Sequence, residues 1–171
     1  LPRGLVDTKY AARRRECAAA QRSLRIASFR EMSANELARR GRELDKVLLA
    51  RARHVVSEIE RVSQAERCLA ERNWPEFGRL MNDSHRSLRE DFEVSSSGLD
   101  SLVEIAQACD GVYGSRMTGA GFGGCTVSLI ERKAAPRIQE RVRAEYRART
   151  GRPAETYLTA PAGSVRTLRR P

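Results

Sequence analysis

Five glycines fall within eleven residues, Gly114 to Gly124, in the string Gly-Ser-Arg-Met-Thr-Gly-Ala-Gly-Phe-Gly-Gly. The chain then passes directly into the apolar, partly β-branched run Cys125-Thr-Val-Ser-Leu-Ile130. Glycine lets a backbone take φ > 0 and approach another surface with no Cβ in the way. Where such a loop presents successive N–H groups, it can hold the oxygens of an anion such as phosphate. Tight turns and strand crossings collect glycine too, so the pattern marks a close approach before it marks a ligand. Arg116 and Thr118 flank the loop within reach of a phosphate, although an arginine leaving a strand is as readily salt-bridged or solvated. His85, followed by Asp91 and Glu93, has the makings of a general base beside carboxylates, or of a polar cluster at a helix end. Glu90, Asp91 and Glu93 lack the further ligands that a metal needs. Four cysteines, at 17, 68, 109 and 125, make no C-x-x-C pair, and His54 and His85 lie far from them in sequence. No metal site is expected from these spacings. Reduced, the cysteines read as small buried hydrophobes, with Cys125 as the first residue of a strand, reactive if exposed.

The elements that must position these residues divide at about residue 110. Residues 8–24, rich in alanine and arginine, predict a helix. Ser33-Ala-Asn-Glu36 is a capping-box pattern that starts a short helix ending at Gly41. Leu44, Leu48, Ala52, Val55, Ile59, Val62 and Leu69 recur at helical steps with charges on the other face, predicting one long helix. Asn73-Trp-Pro-Glu76 supplies a cap, an early proline and an acid for the next, whose stripe is Phe77, Leu80, Met81, Ser84 and Leu88. The short connection predicts an antiparallel hairpin, and the long pattern also admits a coiled-coil partner. After Ser95-Ser-Ser-Gly98, residues 99–109 read as another helix. Val112 and Tyr113 suggest a strand before the glycine loop, 125–130 a second, and 134–150 a helix stopped by Gly151. Short strands are expected at 156–159 and 165–168, around a turn at 161–163. The expected class is α+β, a helical hairpin region followed by a small sheet packed on helices.

The 171 residues suffice for one domain. No apolar run approaches the ~20 residues that span a bilayer. No signal-peptide pattern opens the chain, so the expectation is a soluble, cytoplasmic protein with no membrane partner. A net charge of +10 raises nucleic acid as a partner. The basic residues are almost all arginine, are spread over every helix and alternate with acids, and aromatics are few. Solvated helix faces account for that charge, which argues against nucleic acid.

Taken with its neighbours, Met117-Thr-Gly-Ala-Gly-Phe-Gly-Gly-Cys125 resembles the third, C-terminal signature motif of galactokinases, within the GHMP family of small-molecule kinases. Lys9-Tyr-Ala-Ala-Arg-Arg-Arg-Glu-Cys17 resembles the segment in which a tyrosine precedes an arginine-rich run and a cysteine. Ser84-His-Arg-Ser-Leu-Arg-Glu-Asp-Phe-Glu-Val-Ser95, with Leu99-Asp-Ser-Leu-Val-Glu-Ile105, resembles a further block. The resemblance runs collinearly from about Leu5 to Leu168 and matches only the C-terminal part of the family. It implies that residues 1–171 form a GHMP kinase C-terminal domain, with 1–110 mainly helical and 111–171 a glycine loop plus β-α-β-β. The N-terminal kinase domain is absent from it.

The implied activity is ATP-dependent phosphorylation of galactose at C1, with Mg2+, in galactose metabolism. The aspartate, the arginine and the Mg2+ ligands belong to the N-terminal half, so no catalytic residue is expected here and the isolated chain is expected to be inactive. Tyr10 matches a tyrosine whose hydroxyl contacts the sugar, a role that suits one donor-acceptor group on a flat apolar ring. Thr118, Gly119, Ala120, Gly121, Phe122, Gly123 and Gly124 match the loop bordering the active site, whose role is largely architectural. Arg116 is a candidate phosphate contact. The implied partners are galactose, ATP and the N-terminal half. Two alternatives stay open: a sugar and nucleotide sensor without turnover, or a remnant that binds a protein or nucleic acid. N-acetylgalactosamine and mevalonate are the substrates of neighbouring family branches.

Overall fold

The computed structural model describes residues 3–161, with side chains from Lys9 onward. Six α-helices and one two-stranded antiparallel sheet follow in the order α1 Arg3–Leu24, α2 Ala34–Arg40, α3 Lys46–Glu71, α4 Trp74–Glu90, α5 Ser97–Gln107, β1 Val112–Thr118, β2 Cys125–Ile130 and α6 Ala135–Thr150. The chain is mainly helical with a small sheet packed on helices, the class read from the sequence.

Local signals set most helix ends. Ser33 accepts from the Glu36 N–H while the Glu36 carboxylate accepts from the Ser33 N–H, a complete capping box for α2. Asp45 and Asn73 cap α3 and α4 by accepting from the N–H groups of Leu48 and Glu76. Arg72, in the left-handed region at φ 55°, turns the chain between α3 and α4 and makes them an antiparallel hairpin. Gly151, at φ 70°, closes α6.

The apolar residues gather in three places. Ala20, Leu24, Phe29, Met32, Leu37, Ala52 and Val56 join α1, α2 and α3. Ile105, Ala106, Cys109, Ala134, Ile138 and Val142 join α5 to α6. Leu88, Val94, Leu99, Met117 and Phe122 form a third group beneath the glycine loop. The long stripe of α3 is buried only in part. Ala52 is enclosed, whereas Val62 and Leu69 are exposed, and Val56 and Cys68 are buried in their stead.

The sheet differs from the sequence reading in two respects. β1 continues through Thr118, so Arg116 and Thr118 belong to the strand, paired with Val127 and Cys125, and the loop proper is residues 119–124. Gly114 had read as the start of the loop, but it is glycine because α4 lies against the strand. A Cβ at Gly114 would overlap the Gly78 carbonyl, and one at Gly78 would overlap the Tyr113 carbonyl. The second difference concerns residues 156–159, which form no strand. The Thr156 carbonyl accepts instead from Gln139 (3.3 Å) and Arg143 (3.4 Å) of α6. The strand expected at 165–168 lies outside the described residues.

β1 meets α4 at its free edge. The N–H of Ser115 donates to Asn82 Oδ1 (2.8 Å) and that of Met117 to His85 Nδ1 (3.2 Å). Two side chains one helical turn apart thus occupy donors that would otherwise invite another strand.

Candidate functional site

The glycine loop is seated on the turn that follows α4. Phe122 donates its N–H to the Val94 carbonyl (2.6 Å). Gly121, at φ 83°, is buried there, and a Cβ on it would overlap the same carbonyl and stand 3.0 Å from Met117 Cε. This is the position where glycine is required both for conformation and for space. Gly123 and Gly124 also have positive φ, 147° and 103°, but a Cβ on either would meet nothing within 4 Å in this chain. Within this chain, the close backbone approach is made at Gly121. Thr118, Gly119, Ala120, Gly123 and Gly124 form an exposed rim, while Gly121 and Phe122 are the buried root.

The N-terminal helix stands beside this root. The Lys9 ammonium lies 5.0 Å from the centroid of the Phe122 ring, within cation–π range. Tyr10, the next residue of α1, is 49% exposed. The structure thus brings the turn of α1 that carries Lys9 and Tyr10 and the loop 119–124 to one side of the molecule. Arg116 is engaged elsewhere. Its Nε donates to the Met117 carbonyl (3.1 Å) and its Nη1 lies 3.8 Å from Glu58 Oε2 on α3.

Two buried histidines support the site from behind. His85 Nδ1 accepts from Met117, so its proton sits on Nε2, 3.2 Å from Asp100 Oδ1 but off the line of a hydrogen bond. Burial lowers its pKa more than Asp100 raises it, so the ring is neutral near pH 7. His54 stacks on Phe92, with ring centroids 4.4 Å apart. Ser87 donates to Asp91 Oδ2 (3.1 Å), which leaves its oxygen to accept from His54 Nδ1 (3.0 Å). Burial pushes the His54 pKa down to about 4, against the opposing pull of Glu58 and Asp91. Neither ring reaches open solvent as a general base would.

Charge is concentrated at residues 91–94. Arg51 of α3, only 3% exposed, donates from Nε to Glu16 Oε2 (2.6 Å), from Nη1 to the Asp91 carbonyl (2.5 Å) and from Nη2 to Glu93 Oε2 (2.5 Å). Arg13 of α1 donates to the carbonyls of Phe92 (2.5 Å) and Glu93 (3.2 Å) and to Glu16. The hydrogen bond from Arg51 holds the Glu93 carboxyl below the usual carboxylate range. Sequence reading missed Arg51, because one arginine among many in an arginine-rich helical chain reads as solvated. A hint was its place next to Ala52 on the apolar stripe.

Comparison with known proteins decides the family. The family model described as "GHMP kinases C terminal" matches residues 65–148. The galactokinase of Homo sapiens is 46% identical over 164 residues, covering 96% of this chain and 41% of that protein. The galactokinase of Roseiflexus sp. is 45% identical over 170 residues, covering 96% of this chain and 44% of its own length. The chain belongs to the GHMP kinase family. Within that family it is similar to galactokinases, and it spans about two-fifths of the length of the curated relatives it matches. Its fold matches the crystal structure of Lactococcus lactis galactokinase complexed with galactose, with a TM-score of 0.86, 38% identity, and coverage of 92% of this chain and 42% of that one.

Family membership implies Mg2+ alongside the nucleotide. Among the described residues, no group of three or more His, Cys, Asp or Glu stands close enough to hold a metal ion. No helix of the described residues is long and apolar enough to cross a membrane.

Proposed function

We propose that this chain forms one wall of a galactokinase active site, in which ATP phosphorylates galactose at its C1 hydroxyl. The observation that carries the reading is the seating of loop 119–124 beside Lys9 of α1, within a fold similar to that of a galactose-bound galactokinase. Phosphoryl transfer asks the protein for positioning and charge stabilisation more than for covalent chemistry. A rigid wall is a substantial part of that task. The aspartate, arginine and metal ligands that complete the reaction are assigned to the remaining part of the kinase, with which this chain would close the cleft.

Two roles follow for residues on this wall. Tyr10 offers a hydroxyl on an exposed ring to the sugar. The loop shapes the cleft with its backbone and keeps side chains out of the space facing the phosphates. Joining the chain to the N-terminal part of human galactokinase gives the test protein. Galactose-dependent ADP release by this fusion is expected, and its absence in a folded fusion would refute the reading. In the same protein Tyr10→Phe is expected to raise the KM for galactose by about tenfold, as loss of one hydrogen bond to a substrate does. An unchanged KM would remove Tyr10 from the sugar site. Gly121→Val is expected to abolish turnover by lifting the loop from Val94, and intact turnover would show that the loop lies outside the cleft.

A further inference from the structure

The turn on which the glycine loop rests is held by side chains from elsewhere. Three consecutive carbonyls, of Asp91, Phe92 and Glu93, all accept from guanidinium groups, one on α1 and one on α3. Glu93 itself is in the left-handed region, at φ 53°, which a non-glycine residue occupies only when its surroundings enforce it. The next residue, Val94, gives its carbonyl to Phe122. Two arginines face two carboxylates, Glu16 and Glu93, so the cluster is charge-neutral as well as hydrogen-bonded. Tyr10 and Arg13 are three residues apart on α1 and therefore share a helix face. One face of this helix thus carries the exposed phenol and also the clamp on the loop's seat.

From this geometry we infer that Arg13 and Arg51 are positioning residues that fix the glycine loop relative to Tyr10. They touch no reacting atom. They set the 91–94 turn, the turn sets Val94, and Val94 sets Phe122 and the loop. The inference rests on the galactokinase reading for its catalytic meaning, but the mechanical claim can be tested without any substrate.

The test is amide hydrogen exchange of the chain as it stands, followed by NMR at Phe122, with Ser115 and Leu37 as reference amides. Two variants are used. Arg13→Gln removes one clamp, and Glu93→Gly removes a carboxylate while relieving the left-handed backbone, so it is the less prone to unfold. Exchange at Phe122 is expected to accelerate about tenfold or more in both, with Ser115 and Leu37 unchanged. No acceleration at Phe122, or an equal acceleration at all three amides, would overturn the inference. In the second case the arginines would serve general stability only. In the fusion kinase, Arg13→Gln is expected to lower kcat/KM for galactose by about tenfold to a hundredfold with an unchanged Tm. An inactive unaltered fusion would count against the galactokinase reading and leave the exchange result standing.

Discussion

Gly78 and Gly114 let a helix and a strand touch backbone to backbone, with no side chain between them. Neither backbone can retreat, since α4 is also tied to β1 through Asn82 and His85. Gly114→Ala is therefore expected to lower unfolding free energy by about 3 kcal/mol, measured by urea denaturation. A loss under about 1 kcal/mol would mean the two elements can separate. The buried histidines make a second prediction at this scale. The folded pKa of His54 is about 4 against an ordinary 6.5, so the unfolded chain takes up its proton first. Stability from this source is complete above about pH 6.5 and is lost as pH falls toward 4. His85 is shifted in the same direction by the same cause. Tm is expected to fall between pH 7 and pH 5, and less steeply in His54→Gln. Identical slopes in the two proteins would show that His54 does not drive the loss. Much of this was hidden from the sequence. The glycine string announced itself by density, whereas isolated Gly78 gave no sign of its neighbour, since that contact exists only once α4 crosses β1.

The helices were the most legible elements, because their ends are written in local chemistry. The capping box at Ser33, the cap at Asn73 and the stop at Gly151 all form as their residue types require. The strands were less so. β1 carries three polar residues and a glycine among its seven, Val-Tyr-Gly-Ser-Arg-Met-Thr, and it alternates poorly because α4 lies along one of its edges. That edge is closed by Asn82, whose Oδ1 accepts from both Ser115 and Gln107. Asn82→Leu leaves the buried Ser115 N–H without its acceptor and is expected to cost about 2 kcal/mol. Asn82→Asp keeps the acceptor and is expected to recover much of the loss, which paired thermal melts would reveal. Equal destabilisation by the two would point to shape, not hydrogen bonding, as the role of Asn82. Residues 156–159 read as a strand from their β-branched and aromatic content. Their backbone instead meets α6 side chains, a tertiary partner that no local pattern encodes.

Across the whole molecule, the three apolar groups leave Tyr10 and the rim of the glycine loop exposed. The chain by itself is expected to release no ADP when supplied with galactose and ATP. Release above the blank would place catalytic groups within these residues. The clamp on that side also has a temporal consequence. Arg13 and the Phe92 carbonyl it holds are separated by 79 positions, nearly half of the 171 residues. At about 5–20 residues per second, a ribosome makes α1 roughly 4–16 s before it makes the turn that α1 must grip. The first helix thus emerges with its basic residues uncommitted, and closure must wait while a long tether is drawn in at an entropic cost. The seat of the glycine loop can consequently close only after residue 93 has been made, long after α1 has left the ribosome.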